Sequence, residues 1–206
     1  MLPGRKRPAY TAEVDDPIAT IKERLRLAAR VSTAMADQAA ASIAAAADLI
    51  ATTFRAGGKL LLCGNGGSAA DCQHMAAELV GRLTRDMSRP GLPAIALTTD
   101  TSFLTAYSND FGFDAVFARQ VQALGSRGDV LITISTSGAA PNVLAAVDEA
   151  KRVGLSIVAL LGEAGPLADL ADVAIRVPSR DTQLIQQVHL AVEHLICHLV
   201  ERTLYP

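Results

Sequence analysis

The sequence is poor in aromatic residues and in cysteine. It has no tryptophan, aromatic residues make up 4% of the chain, and there are three cysteines among 206 residues. Cys63, Cys72 and Cys197 lie in apolar stretches without the spacing of a metal site, so we expect buried free thiols in a reducing compartment. No hydrophobic run reaches the length of a membrane span, and no signal-peptide pattern follows the N-terminus. These absences predict a cytoplasmic protein with no membrane partner.

An excess of charge of either sign is also missing, with 19 Lys and Arg against 21 Asp and Glu and a net charge of -2. Proteins that bind the nucleic-acid backbone usually carry a clear basic excess, so we expect no nucleic-acid partner. The one basic cluster, Arg5 to Arg7, lies in a start flanked by proline and glycine. We predict a disordered tail over residues 1–15 and a single domain over residues 16–206.

Short apolar segments alternate with helical patterns along most of the chain. We predict strands at residues 60–63, 94–97, 129–134, 156–161 and 173–177. We predict helices at residues 18–37, 38–55, 115–124, 142–153 and 182–203, a helix after the first strand, a short helix around residues 103–107, and a turn at residues 108–112. This alternation is typical of an α/β domain with a doubly wound, five-stranded parallel sheet. In such sheets ligands bind where the carboxyl ends of the strands meet.

The first two predicted helices form an N-terminal pair. Asp16 and Pro17 are typical of a helix start, with an acidic N-cap and proline at the first helical position. Both helices present wide apolar surfaces, and the second is rich in alanine and poor in charge. We therefore expect the pair to pack against another subunit as well as against the sheet.

The most informative stretch runs from Lys59 to Leu83 and combines a buried strand, a glycine-rich turn and a helix. Glycines at 64, 66 and 67 allow a ligand to approach the backbone closely, and Ser68 fits the N-cap of the helix. Such a turn can present backbone N–H groups to an anion. Two alternatives remain open. The turn can be a plain connection, or a dinucleotide fingerprint G-x-G-x-x-A, although the acidic residue expected about 20 positions later is missing.

A second polar turn, Ser135-Thr136-Ser137-Gly138, follows a predicted strand and precedes a helix. Its hydroxyl and backbone donors suit a phosphate monoester, although the same residues also serve as ordinary caps. Because both turns follow strands of one parallel sheet, we expect them to share a small phosphorylated ligand.

Proton-active side chains follow in two predicted helices. His74 and Glu78 are four residues apart, so they lie on one helix face just beyond the glycine turn. The last helix carries Gln186 and three of the four histidines, His189, His194 and His198. Gln186 and His194 lie two turns apart on roughly one side of that helix. We expect one or two of these histidines to act and the others to pack or face solvent.

At these residues the sequence resembles the SIS (sugar isomerase) domain family and, within it, the phosphoheptose isomerase branch. The stretches that carry the resemblance are CGNGGSAADCQHMAAEL from Cys63, SNDFGF from Ser108, ISTSG from Ile134 with Asn142 following, and the closing helix with Gln186 and His194. The resemblance extends from about Leu60 to the C-terminus. It implies a flavodoxin-like sheet and a homotetramer whose sites are shared between subunits.

The resemblance also implies which residues form the site. Those expected to contact the phosphosugar are Asn65, Gly66, Gly67, Ser68, Glu78, Asn109, Asp110, Ser135, Thr136, Ser137 and Gln186. The hydroxyl turn, Ser135 to Ser137, would hold the phosphate. Asn109 and Asp110 would contact the sugar hydroxyls. One zinc ion per subunit would be held by His74, Glu78, Gln186 and His194. Glu78 and His194 would be the proton-transfer pair.

The implied reaction converts sedoheptulose 7-phosphate to D-glycero-D-manno-heptose 7-phosphate through an enediol(ate). Two departures from the family pattern are visible: Ala140 replaces a frequent serine, and Gln186-Gln187 replaces a frequent Gln-Glu. One alternative is a non-catalytic member that binds sugar phosphates or associates with the bacterial replication initiator. That branch lacks the helix glutamate, so Glu78 and His194 favour an enzyme. A nucleotide-binding protein is a third possibility.

Overall fold

The computed structural model describes residues 16–206, and the predicted disordered tail lies outside the described residues. The strands are β1 Leu60–Gly64, β2 Ala94–Ala96, β3 Val130–Ser135, β4 Ser156–Leu161 and β5 Val173–Arg176. The helices are α1 Pro17–Gln38, α2 Ala40–Arg55, α3 Gly67–Val80, α4 Thr101–Phe111, α5 Val116–Leu124, α6 Pro141–Val153, α7 Leu167–Leu170 and α8 Thr182–Leu204.

The five strands form one parallel sheet in the order β2-β1-β3-β4-β5. This is the flavodoxin-like order, so the predicted fold class is confirmed. In register, Leu62 of β1 pairs with Ala96 on one side and with Ile132 on the other. From β1 the chain runs first to β2 on one side of β1 and then to β3 on the other side, so the crevice of the fold opens at the carboxyl ends of β1 and β3.

The core has two layers because successive side chains of each buried strand face opposite sides of the sheet. In β1, Leu60 and Leu62 pack with α1, α2, α3 and α8, whereas Leu61 and Cys63 pack with α5, α6 and α7. All four side chains are fully buried. The predicted alternation of helices and strands therefore places α3 and α8 on the same sheet face.

The helix starts follow the expected capping chemistry in three places. The carboxylates of Asp16, Asp100 and Asp181 accept hydrogen bonds from the first turns of α1, α4 and α8. An acidic N-cap satisfies N–H groups that have no partner within the helix. The predicted start at Asp16 and Pro17 is confirmed, and the Asp181 carboxylate fixes the start of α8.

One predicted element is wrong and one element was missed. The predicted turn over residues 108–112 is helical as far as Phe111, because Phe103, Tyr107 and Phe111 stack along one face of α4 and Gly112, with a φ of +86°, ends the helix. The single-turn helix α7 was not predicted. Strand and helix ends otherwise differ from the predicted ones by at most two residues.

The three cysteines are buried and free, as predicted. Burial raises the pKa of the Cys63 thiol to about 12, so it is an unreactive core side chain. Within residues 16–206, no helix has the length and hydropathy that a membrane span requires.

Candidate active site

A cavity of about 300 Å³ opens where β1 and β3 end. Its walls come from the glycine turn, the hydroxyl turn and the start of α8, and the residues lining it are Asn65, Gly66, Gly67, Ser68, Ile134, Ser135, Thr136, Ser137, Ala140, Thr182 and Gln186. Small-ligand sites range from about 300 to 1,000 Å³, so the cavity suits a compact ligand. The structure thus brings together the two turns that the sequence predicted to share one ligand.

The glycine turn is shaped by close backbone contacts. A Cβ at position 64 would lie 2.8 Å from the carbonyl oxygens of Ile134 and Ser68, and a Cβ at position 67 would collide with the Gln186 amide. Gly66 has a φ of +57° and is the N-cap of α3. The prediction of Ser68 as N-cap is therefore wrong: Ser68 is the second residue of the helix and is buried.

Two helices begin at the cavity without a side-chain cap. The N-cap of α3 is Gly66 and that of α6 is Ala140, and no side chain accepts a hydrogen bond from either first turn in the described chain. Uncapped N–H groups at a helix start attract anions, through hydrogen bonds and the helix dipole together. Ala140 lines the cavity, so the serine hydroxyl that this chain lacks is missing from the cavity wall itself.

The hydroxyl turn adds further donors at the carboxyl end of β3. Ser135 is the last residue of the strand and is buried, while Thr136 and Ser137 follow it along the cavity wall. The turn closes with a hydrogen bond that the Gly138 amide donates to the Ser135 carbonyl. The three hydroxyl residues of this turn and the uncapped starts of α3 and α6 border this cavity, and hydroxyl and backbone N–H donors are the groups that bind a phosphate.

Asn109 and Asp110 lie elsewhere in the subunit. Both are exposed near the end of α4, where the Asn109 amide donates to Asp110 Oδ1 at 2.9 Å, and neither lines the cavity. Their predicted contacts with sugar hydroxyls therefore involve a surface that the described subunit does not bring to this cavity.

A cluster of proton-active side chains lies further along α3 and α8. The Nε2 atoms of His74 and His194 are 2.8 Å apart, and Glu78 Oε1 is 3.6 Å from His74 Nε2. One ring nitrogen of the histidine pair must donate and the other accept in this contact. Both α3 side chains are partly exposed, at 40% for His74 and 22% for Glu78, so a ligand can reach them.

The cluster has the chemistry of a metal site. One ligand atom each from His74, Glu78 and His194 lies within 4.8 Å of the others. Two imidazole nitrogens and one carboxylate oxygen are ligands that zinc takes in proteins, with a further position left for substrate or another side chain. The fourth predicted ligand, Gln186, lines the cavity with its amide against Gly67. The residues present therefore fit a metal ion through three of the four predicted side chains.

A buried ion pair holds the two helices together beyond the cluster. The Arg89 guanidinium donates to Glu201 Oε1 of α8 and to the carbonyls of Glu78 and Leu79 in the last turn of α3, with each distance between 2.7 and 2.9 Å. The Leu83 amide donates to the same Glu201 oxygen at 3.0 Å. A cation at the carboxyl end of a helix also interacts favourably with its dipole. Sequence reasoning missed this pair, since Arg89 reads as part of a polar loop.

Two further titratable side chains of α8 are fully buried. Neither nitrogen of His189 and neither carboxyl oxygen of Glu193 has a hydrogen-bond partner among the described residues. Burial lowers the pKa of His189 to about 4 and raises the pKa of Glu193 to about 9, the latter with help from the nearby Asp71 carboxylate. Both groups are therefore neutral at pH 7. His189 belongs to the core, and His198 is exposed, so His194 is the histidine of α8 in the cluster.

Replacing His189 with leucine is expected to make the protein less sensitive to acid. In the unfolded chain His189 has its ordinary pKa of 6.5, whereas burial in the folded protein lowers this pKa to about 4. Stability is therefore lost as the pH falls below 6.5, by about 2 kcal/mol at pH 5 for this group. Urea unfolding should show that the free energy of unfolding falls between pH 7.5 and pH 5.0 by about 2 kcal/mol less in His189→Leu than in wild type. Equal losses in wild type and variant would contradict this, and His198→Asn, at an exposed histidine, should behave as wild type.

Comparisons with known proteins agree with this fold. The family model described as SIS domain matches residues 25–162. The phosphoheptose isomerase of Roseiflexus sp. (strain RS-1) is 57% identical over 164 residues, which cover 79% of this chain and 82% of that protein. The solved phosphoheptose isomerases of Neisseria gonorrhoeae and Francisella tularensis are 39% and 35% identical to this chain. Their TM-scores are 0.85 and 0.87, and the matches cover 91% of this chain and 100% and 99% of theirs. The chain belongs to the SIS domain family, within its phosphoheptose isomerase branch.

Proposed function

We propose that this protein is a phosphosugar isomerase that converts sedoheptulose 7-phosphate to D-glycero-D-manno-heptose 7-phosphate. One observation carries the proposal: α3 and α8 both start at the cavity and both carry members of the His/Glu/His cluster further along. Ser68 and His74 are six residues apart, or about 9 Å along the helix axis at a rise of 1.5 Å per residue. An extended sugar held by its phosphate in the cavity would thus present its other end to the cluster.

In this proposal the cavity binds the phosphate group of the sugar. Ser135, Thr136 and Ser137 supply hydroxyl donors, and the uncapped start of α3 supplies backbone N–H groups. The start of α6 adds the Asn142 N–H alone, because Pro141 has none and the next two amides donate to the Ala140 carbonyl. Because these donors are already oriented in the folded chain, binding requires little further ordering. Gln186, whose amide lies against Gly67, borders the same cavity and would contact the sugar next to its phosphate.

The chemistry is a proton transfer between neighbouring carbons. In the ketose, Glu78 as carboxylate removes a proton from C1 while His194 donates a proton to the oxygen on C2, giving an enediol. His194 then takes the proton from the oxygen on C1, and Glu78 returns its proton to C2, which leaves the aldose and restores both side chains. Each group is expected to contribute about 10²- to 10⁴-fold to the rate, as general acids and bases do.

The cofactor in this proposal is one zinc ion per subunit. His74, Glu78 and His194 would hold it, with Gln186 as the fourth ligand. When bound, a zinc ion supplies Lewis-acid polarisation of a carbonyl oxygen. The support for zinc is the donor set and its spacing, since three ligand atoms of suitable type lie within 4.8 Å of one another.

The partner in this proposal is a second copy of the chain, within a homotetramer. None of the α4 residues is buried in the described subunit, and Phe111 is 74% exposed beside Asn109 and Asp110. Ile21 and Leu25 of the apolar stripe on α1 are likewise 54% and 67% exposed. Assembly through these faces would cover them and would let Asn109 and Asp110 reach the sugar hydroxyls of a neighbouring subunit. Analytical ultracentrifugation should give the mass of four chains, and a monomer would contradict this part of the proposal.

The decisive experiment is to incubate the purified protein with sedoheptulose 7-phosphate and to follow the appearance of the aldose by NMR. Formation of heptose 7-phosphate supports the proposal, and its loss after treatment with a chelator, with recovery on adding zinc, supports the metal. A protein that binds the sugar phosphate without converting it would instead be the non-catalytic member of the family.

A further inference from the structure

Two asparagines join the glycine turn to the start of α6 beside the cavity. Asn65 Nδ2 donates to Asn142 Oδ1 at 2.9 Å, and Asn142 Nδ2 donates to Asn65 Oδ1 at 2.8 Å. The two residues are 77 positions apart in the chain. Asn65 lies in the glycine turn, and Asn142 is the second residue of α6 and is buried. These two bonds are the only side-chain hydrogen bonds between the glycine turn and residues 135–142 among the described residues.

The pair lies just beyond the point where β1 and β3 stop pairing. The pairing between β1 and β3 reaches Gly64 and Ile134, just before the two turns begin. Beyond that point no β1–β3 pairing joins the two segments, and the hydrogen bonds between Asn65 and Asn142 connect them. Each turn leads into a helix without a side-chain cap, so the pair sets the distance between the free N–H donors of α3 and the start of α6, where Asn142 is the first residue with an N–H.

We propose that Asn142 is a positioning residue for the phosphate: it fixes the glycine turn, through Asn65, at the separation from α6 that a phosphate group needs. This inference rests on the proposed function and adds a residue to its binding site. The cluster of His74, Glu78 and His194 is held by the packing of α3 against α8 instead. Loss of the pair should therefore weaken phosphate binding without slowing proton transfer.

The first test is Asn142→Ala. The substitution leaves the partly buried Asn65 amide without its partner and lets the glycine turn separate from α6. The loss of one hydrogen bond is worth about tenfold in affinity. We expect KM for sedoheptulose 7-phosphate to rise about tenfold, with kcat within twofold of wild type. Calorimetric titration with inorganic phosphate should show a similar loss, and this measurement does not depend on turnover.

A matched control separates positioning from general loss of stability. Gln120, a buried amide of α5, donates to the carbonyls of Leu97 and Val116 outside the cavity. Gln120→Ala should lower Tm in the way that Asn142→Ala does, while leaving KM and phosphate binding unchanged. Asn65→Ala supplies the second control: adding Asn142→Ala to it should cause no further loss of phosphate affinity, because the pair is already broken.

The outcomes distinguish this inference from the proposed function. If Asn142→Ala lowers Tm but leaves KM and phosphate binding at wild-type values, the positioning role is wrong. Additive losses from the two asparagine substitutions would also overturn it, as would wild-type protein that fails to bind phosphate. A protein that binds phosphate, loses this binding in Asn142→Ala, and yet produces no aldose would support the positioning role and contradict only the isomerase function.

Discussion

Replacing Glu78 with glutamine is expected to lower kcat by 10²- to 10⁴-fold while substrate still binds. Glutamine has the size of glutamate and can still contact His74, but it cannot accept the proton from the sugar carbon. The donors proposed for the phosphate lie in other turns, so their arrangement is not changed by the substitution. Steady-state kinetics should show the loss in kcat, and calorimetry with sedoheptulose 7-phosphate should give a Kd close to that of wild type.

Glu193→Gln is a control for the same chemical change one residue away from His194. Burial holds the pKa of Glu193 near 9, so this side chain is already a neutral acid at pH 7 and glutamine resembles it. Turnover should therefore stay close to wild type. Measuring kcat at saturating zinc separates loss of the base from loss of a metal ligand, because only a ligand defect is relieved by excess metal. Wild-type turnover in Glu78→Gln would remove Glu78 from the proposed mechanism.

The fold could be predicted because its signals are local. Each strand is a short apolar run, the three central strands β1, β3 and β4 are buried on both faces of the sheet, and each long helix has an apolar face of helical period. The turn predicted at residues 108–112 was wrong for an equally local reason. Asn and Asp in a row favour turns, but the aromatic stack along α4 extends the helix through them to Phe111.

The site could be predicted only in part from the residues themselves. The spacing of His74 and Glu78 places them on one face of a helix, and the glycine turn indicates an anion site without further information. The contact of His194 with His74 depends on how α8 packs against α3, and only the family resemblance singled out that histidine. No spacing rule links Asn65 with Asn142, since such pairs arise from tertiary packing.

The fully buried ion pair of Arg89 and Glu201 is expected to give the largest stability effect in the chain. Its two side chains are 0% and 1% exposed, and the guanidinium also binds the carbonyls of Glu78 and Leu79. Arg89→Met would leave the Glu201 carboxylate buried without its cation and the end of α3 without its donor. Breaking one partner of a buried pair typically lowers the free energy of unfolding by about 3 to 5 kcal/mol. Urea unfolding at fixed protein concentration should show this loss.

The double variant Arg89→Met with Glu201→Leu tests the cause of that loss. Removing both charges ends the desolvation of an unpaired carboxylate, and apolar residues of similar volume in place of a buried pair are often tolerated. We therefore expect the double variant to unfold at a higher urea concentration than Arg89→Met alone. Because neither methionine nor leucine can bind the α3 carbonyls, its kcat should remain below wild type, since Glu78 lies in the turn that Arg89 holds. A double variant no more stable than the single one would show that Arg89 stabilises the protein through the α3 carbonyls and not through Glu201.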